Sequence, residues 1–394
     1  MTIYIGIDVA KRFHIAALVD EDGQPITQLR FDNNASGYQH FFACIDRYRD
    51  GGEPVIGMES TGHYGAALRD RLVEHGYTVQ VLNPLKPNRF RDFYLQPVKN
   101  DARDAFVIAQ MLRFGERQPY VPAPPPLRAL KHLVRYRAAL TQARARMKNQ
   151  LRAILDEVFP EYQQESLFAN LFGASSLAVL RRFPTPACLL AAPEAELVSL
   201  LKQSSRGRLG EERARQLRQA ASRSVGSTLA GQAYATVLPD LIAGYQALEE
   251  RIATFTARIE AELNTTEQTL TTIPGVGLVL AATILAEIGD VTRFPSSDHL
   301  VAYAGLAVGE SQSGQGATRR FLSRRGLPQL RGAFFQAALA AVRFDPHLGA
   351  YYQRRVKSGL PRRQAIIAVA RKLVRITYAL LKSGAPYQPP EPEP

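Results

Sequence analysis

The strongest constraint on this chain is the rhythm of residues 2–113. Apolar residues alternate over 2–8, 14–20 and 26–33. A helical period over 36–49 follows, then a strand over 54–60, a helix over 63–75, a strand over 77–83 and a helix over 101–113. Three strands joined by short turns, followed by alternating helices and strands, predict a mixed sheet covered by helices. Two of the strands finish on acids: Ile3-Tyr4-Ile5-Gly6-Ile7-Asp8 and Pro54-Val55-Ile56-Gly57-Met58-Glu59. The helix at 101 opens on Asp101 and Asp104, whose spacing of three puts both on one face.

A single acid at a strand end or helix start is ordinarily a cap for free N–H groups, and Asp101 alone reads that way. Four acids ordered onto two strand ends and one helix read differently. Crowded carboxylates repel one another and stay ionised only around a cation, and hard oxygen ligands suit Mg2+ or Mn2+. Asp8, Glu59, Asp101 and Asp104 are therefore the candidate catalytic and metal-ligating residues of a phosphodiester-cutting site. The element order, with the first acid on the first strand, resembles the ribonuclease H and Holliday-junction resolvase fold. The expected fold class is an α/β N-terminal RNase H/RuvC-like domain with a mainly α remainder, a coiled-coil arm and a helical domain carrying a helix-hairpin-helix.

Charge narrows the partner. The 394 residues carry a formal net charge of +13 and a pI near 9.8, which favours a polyanion. From Leu127 to Leu155 there are eight Lys or Arg and no acid; from Ser311 to Pro390 there are fifteen, with Asp345 the only acid. A like-charge run is usually a solvated face. Two long unbalanced segments repel themselves unless phosphates relieve them, so nucleic acid is the expected partner. Candidate contacts are Arg128, Lys131, Arg135, Arg144 and Lys148 in the first segment and Arg319, Arg320, Arg324 and Arg325 in the second. Cys44 and Cys188 give neither a disulfide framework nor zinc spacing, which suits a reducing compartment. The chain opens on a strand rather than a secretory signal, and no apolar stretch is long enough and uncharged enough to span a bilayer. A soluble cytoplasmic protein without a membrane partner is expected.

Proline marks the boundaries. Pro119 to Pro126 holds five prolines and cannot continue a helix or a sheet interior, so it is read as a stiff linker. The expected division is 1–118, linker 119–126, helical region 127–268, a domain over 269–345, basic helices over 346–386 and a disordered tail over 387–394. Leu133, Leu140, Met147 and Ile154 recur every seven residues, and Leu248, Ile252, Phe255, Ile259 and Leu263 at three and four. These two helices pair as an antiparallel arm or with another copy. Arg137 and Arg144 interrupt the other half of the heptad, so ordinary bundle helices satisfy the same pattern.

Further on, Ile273-Pro274-Gly275-Val276-Gly277 before an apolar helix has the form of a helix-hairpin-helix, where Gly275 and Gly277 let backbone N–H groups approach a phosphate. A flexible stretch, Gly309 to Gly316, then precedes basic Arg319 to Gly326. It lacks the Gly-Lys-Ser/Thr ending of a nucleotide P-loop. Serines beside arginines can attack phosphorus if a neighbour takes their proton, and guanidinium groups stabilise the charge that builds. Ser311, Ser313 and Ser323 also suit simple capping of turns.

Over nearly its whole length the chain resembles the IS110 class of insertion-sequence transposases, DEDD recombinases guided by a bridge RNA. The resemblance is carried by Gly6-Ile7-Asp8-Val9-Ala10-Lys11, Met58-Glu59-Ser60-Thr61-Gly62, Asn83-Pro84, Lys99-Asn100-Asp101-Ala102-Arg103-Asp104-Ala105, Pro274 to Gly277, and Ala304-Gly305-Leu306 through Ser313-Gly314 to Ser323-Arg324-Arg325-Gly326. It implies that the four acids form a resolvase-like metal site and that Ser313 is the nucleophile joining covalently to a DNA phosphate. It further implies donor and target double-stranded DNA, a structured guide RNA, and dimers assembling into a tetramer. Two departures stand out. Asn100 replaces the usual threonine before the third acid, and Ala307-Val308 replaces a proline after Gly-Leu, which keeps Ser311 and Ser323 open as alternatives to Ser313. A water-using, structure-selective endonuclease and a non-catalytic RNA-binding scaffold are the competing functions.

Overall fold

A computed structural model describes residues 2–49, 51–59, 63–82, 90, 101–116, 119–229, 231–311, 319–323 and 326–389; the side chains of Gln232, Glu310, Ser311 and 319–321 are not described. The chain divides into two units, Met1–Pro122 and Ala123–Pro394, with the boundary inside the proline-rich segment.

In the first unit, β1 (Tyr4–Val9), β2 (Phe13–Val19), β3 (Pro25–Asp32), β4 (Val55–Glu59) and β5 (Val79–Leu82) form one sheet in the order β3-β2-β1-β4-β5. β1 runs antiparallel to β2 and parallel to β4, as a three-strand meander followed by crossovers requires. Alternation sorts the side chains onto two faces. Ile3, Ile5, Ile7 and Val9 join Ile56 and Met58 in a core with α1 (Ala35–Tyr48) and α2 (Ala66–Glu74). The buried positions of α1 are Gly37, Tyr38, Phe41 and Ile45, a helical stripe, and Asn34 starts the helix by accepting a 2.9 Å hydrogen bond from the Gly37 N–H. Tyr4, Val55 and Leu82 face the other way, against Val107, Ile108, Met111 and Leu112 of α3 (Asp101–Arg113). The sheet therefore lies between helical layers, as the RNase H/RuvC-like expectation requires.

In the second unit, α4 (Pro125–Val158) and α10 (Gly231–Asn264), each of 34 residues, pack together along their length. Their pairing lies within one chain. Arg137 and Arg144, which interrupt the heptad, sit in the seam: Arg137 donates to Thr256 Oγ1 at 2.7 Å, and Arg144 donates to Glu249 at 3.0 and 3.1 Å. At one end of the arm, Leu151, Leu155, Leu238 and Ile242 share a core with the short helices α5 (Glu161–Gln164), α6 (Ala174–Arg182), α7 (Pro186–Ala191), α8 (Glu194–Ser204) and α9 (Glu211–Ser222). At the other end, Leu127, Leu130, Ile259 and Leu263 enter a separate core with α11 (Leu278–Ile288), α12 (Ser297–Tyr303), α13 (Pro328–Phe344), α14 (Pro346–Lys357) and α15 (Arg362–Ser383). Between α12 and α13 the stretch read as flexible loop and basic run contains a two-strand hairpin, β6 (Val308–Ser311) with β7 (Arg319–Leu322). Tyr387, read as the start of a disordered tail, is tied down: its N–H donates to Thr272 Oγ1 at 2.8 Å and its hydroxyl to Asp345 Oδ2 at 2.6 Å. No helix among the described residues is long and apolar enough to cross a membrane.

Candidate active site

The positions of the four acids follow from two glycines. Gly6 and Gly57 face each other in the β1–β4 register, each two residues before an acid near the end of its strand, Asp8 next to last in β1 and Glu59 last in β4. A Cβ at Gly6 would run into the Ala105 carbonyl oxygen and the Ala109 amide nitrogen, and one at Gly57 would come within 2.9 Å of both Leu112 methyls. The pair is a bare seat for α3, met by helix backbone at Gly6 and by the Leu112 side chain at Gly57. Because side chains alternate, Asp8 and Glu59 rise on the same face as Gly6 and Gly57, and the printed register, Ile7 opposite Met58, carried one residue on sets them side by side.

The roll of α3 on this seat is fixed from the opposite edge. Gln110 donates at 2.7 Å to the Gly23 carbonyl in the β2–β3 turn and accepts from Arg113 Nε at 2.9 Å. That turn lies at the end of the sheet where β1 begins, so helical periodicity places Asp101 and Asp104 on the flank toward the end where β1 and β4 finish. Asp8, Glu59 and Asp104 are half-buried and Asp101 is exposed, while Asp104 Oδ1 is shut away from solvent. Among the described residues, no three His, Cys, Asp or Glu side chains stand close enough to hold one ion. The elements thus bring the acids to one end of one face without gathering the side chains.

Sequence reasoning missed His14. It is fully buried, and its Nδ1 accepts a 3.2 Å hydrogen bond from the Ala10 N–H, pinning the chain just beyond Asp8. Burial lowers the pKa of the imidazole, against an opposing hydrogen bond from Asn33, which favours the neutral ring this contact needs.

Ser313, Arg324 and Arg325 lie outside the described residues, as do Ser60 to Gly62, Asn83, Pro84, Lys99 and Asn100. The frame around Ser313 is described. Ser311 pairs with Arg319 at the last register position of the hairpin, and the Ser323 N–H donates to the Ala307 carbonyl at 2.8 Å. Below them, Gly305 with φ +67 and Gly326 touch backbone to backbone, and the Leu327 N–H reaches the Tyr303 carbonyl at 2.9 Å. The hairpin therefore leaves the helical core through a pinched neck.

Several candidate nucleic-acid contacts are occupied within the chain. Glu287 has a side chain with no exposure and receives Arg135 Nε at 2.6 Å and Nη2 at 2.9 Å, with Lys131 Nζ at 3.6 Å. The hydrogen bond to Glu287 raises the Arg135 pKa, and burial lowers that of Lys131. Arg144 and the Tyr245 hydroxyl both serve Glu249; together they hold its carboxyl low, and burial with this bond pushes the Tyr245 phenol up to about 12. The Lys148 ammonium sits over the rings of Phe172 and Tyr245. Arg128 is exposed. Gly275, with φ +86, presses on the backbone of α13, where a Cβ would meet Ala341 N at 2.6 Å, so packing accounts for it; Gly277, which opens α11, faces open space.

Residues 5–160 match a sequence profile for DEDD transposases of the IS110 kind, described as Transposase, and residues 267–353 match the Transposase IS116/IS110/IS902 family. The chain is 28% identical over 394 residues to the 44.8 kDa protein of insertion element IS116 from Streptomyces clavuligerus, covering 99% of this chain and 97% of that one. It is 31% identical over 387 residues to a Streptomyces coelicolor mini-circle protein named as a transposase for IS117, covering 91% and 89%. It is 25% identical over 393 residues to the pilin gene-inverting protein of Moraxella bovis, covering 98% and 97%. A mixed sheet ending in paired acids, a helical remainder and these relatives together define a DNA transposase, an enzyme that binds and recombines DNA. The chain belongs to the IS110 family of transposases. A DEDD transposase is expected to need a divalent metal; the donor chemistry of the four candidates, all hard carboxylate oxygens, suits one, while among the described residues no three of them stand within reach of a single ion.

Proposed function

We propose that the enzyme is an RNA-guided recombinase that cuts and rejoins DNA through a covalent phosphoserine intermediate. Asp8, Glu59, Asp101 and Asp104 hold Mg2+ or Mn2+, which when bound polarises the scissile phosphate and eases charge on the leaving oxygen. Ser313 Oγ attacks phosphorus; the Oγ–P bond forms as the P–O bond to one side of the DNA strand breaks, and the serine proton ends on the departing oxygen. The phosphoserine conserves the bond energy, so a different DNA end can reverse the step without a nucleotide cofactor. The arginines that follow the serine in sequence, Arg319, Arg320, Arg324 and Arg325, supply guanidinium groups to stabilise the charge on the phosphoryl oxygens. A structured guide RNA selects the donor and target duplexes by base pairing, while the protein contacts backbones. The enzyme holds two duplexes at once and, as the resemblance to its family implies, acts as dimers assembled into a tetramer.

The observation that supports the metal half of this reading is the close approach of α3 to β1 and β4 at Gly6 and Gly57, which sets a helix bearing two of the acids over the two strands bearing the others. The test is to incubate purified protein, the element-end RNA and end-labelled DNA with Mg2+ and look on a denaturing gel for label on protein. The expected adduct disappears in both Ser313→Ala and Asp104→Asn. Cleaved DNA without an adduct, indifferent to Ser313→Ala, would replace this reading by a water-using endonuclease.

A further inference from the structure

An unbalanced cluster of charge among the described residues lies where α14 turns into α15, at residues given no role above. Arg354, Arg355 and Lys357 end α14; Arg362 and Arg363 open α15; the turn between them is Ser358-Gly359-Leu360-Pro361. All five cationic residues are exposed, and none takes part in any ion pair given for the described residues. Several exposed cations elsewhere are matched with placed carboxylates: Arg71 with Glu74, Arg182 with Glu196, Arg215 with Glu212, Arg223 with Glu165 and Arg375 with Asp298. Among the described residues, the contact given for the charged group of any of these five cations is the Arg355 guanidinium 5.7 Å from the Tyr351 ring centre.

Half of the pattern has an ordinary explanation. Cations in the last turn of a helix oppose its macrodipole, which accounts for Arg354, Arg355 and Lys357. The same rule argues against Arg362 and Arg363, which stand in the first turn of α15, where the macrodipole favours acids and where this helix has none. Like charges within a Debye length of one another add to that penalty. A surface built against its own electrostatics is relieved by an external polyanion. No exposed large apolar side chain follows Phe344 among the described residues, so the corner lacks the apolar anchor of a membrane-binding helix.

We infer that the α14–α15 corner is a phosphate-backbone clamp for nucleic acid, engaging either the DNA or the guide RNA through Arg354, Arg355, Lys357, Arg362 and Arg363. It rests on the reading of the protein as a nucleic-acid enzyme but adds a contact surface remote in sequence from the acids and the serine. Its ligand chemistry is a phosphodiester backbone, read without base contacts, so its signature is salt dependence rather than sequence preference.

The experiment compares the full-length wild type with a variant carrying Arg354→Gln, Arg355→Gln, Arg362→Gln and Arg363→Gln. A lysine variant at the same four positions and a charge-matched control, Arg181→Gln, Arg182→Gln, Arg206→Gln and Arg215→Gln, complete the set. Affinity for a random-sequence DNA duplex and for a structured RNA is measured across salt concentrations. The corner glutamine variant is expected to lose up to about 0.9 in the log–log salt slope for each arginine that contacts duplex phosphate. The lysine variant keeps the slope and the control matches wild type. A loss confined to the duplex assigns the clamp to DNA, and one confined to RNA assigns it to the guide. Unmoved slopes on both nucleic acids, or an equal loss in the control, overturn the clamp. The recombinase reading fails separately, by absence of a wild-type protein–DNA adduct.

Discussion

At the scale of single residues, Gly6 sets how closely α3 approaches β1 two residues before Asp8. Adding one methyl there forces the backbone of α3 off β1, because the obstruction is main-chain oxygen and nitrogen rather than a side chain that can swing away. Gly6→Ala is expected to cost about 1 to 3 kcal/mol in unfolding of the first unit, as overpacking does. It should also abolish DNA strand cleavage while leaving DNA affinity near wild type; chemical denaturation and a cleavage assay on the same preparation check both. A variant that loses stability but cleaves normally would show that α3 can ride higher without harm to the acids. The signal for this role was present in the sequence, since Gly-x-acid recurs at the end of both strands and a glycine inside an apolar strand marks close backbone approach. What the spacing could not supply was the partner, because Ala105 and Ala109 lie roughly a hundred positions away along the chain.

At the scale of elements, strand and helix order was legible because period-2 and period-3.6 burial are local properties of the chain. The helix predicted at 101–113 is Asp101–Arg113, and the five predicted strands appear with ends moved by one or two residues. The β6–β7 hairpin was not legible: its strands are four residues each, too short for an alternation to stand out, and the stretch between them is made of small and polar residues. The destinations of the α4 cations were equally hidden, because a run of Lys and Arg looks the same whether it faces solvent or a carboxylate from another helix. Arg135 illustrates the difference. Replacing it with Ala leaves the buried Glu287 carboxylate with only Lys131 nearby, and the expected cost is about 2 to 3 kcal/mol, below that of a wholly buried pair because the arginine is itself half exposed. The double variant Arg135→Met with Glu287→Met should recover most of that loss in a thermal-denaturation cycle. Equal losses in the single and double variants would show that the carboxylate contributes through packing alone.

At the scale of the whole molecule, the second unit contains two hydrophobic cores connected by the paired arm helices, so its stability is divided rather than shared. Leu201, fully buried in the core around the short helices, tests this. Leu201→Ala is expected to destabilise that core by about 2 to 5 kcal/mol. Native-state hydrogen exchange should then speed up in α8 and α9 and stay unchanged in α11 and α13; uniform acceleration would mean the unit unfolds as one. The arm itself works as a ruler. Two helices of 34 residues rise about 50 Å each and carry one core at each end. Each inserted residue would lengthen the ruler by about 1.5 Å and also turn everything beyond it by about 100°. The length can therefore change over generations only in matched steps on both helices, near whole heptads, and the distance between the two ends is one of the quantities least free to drift.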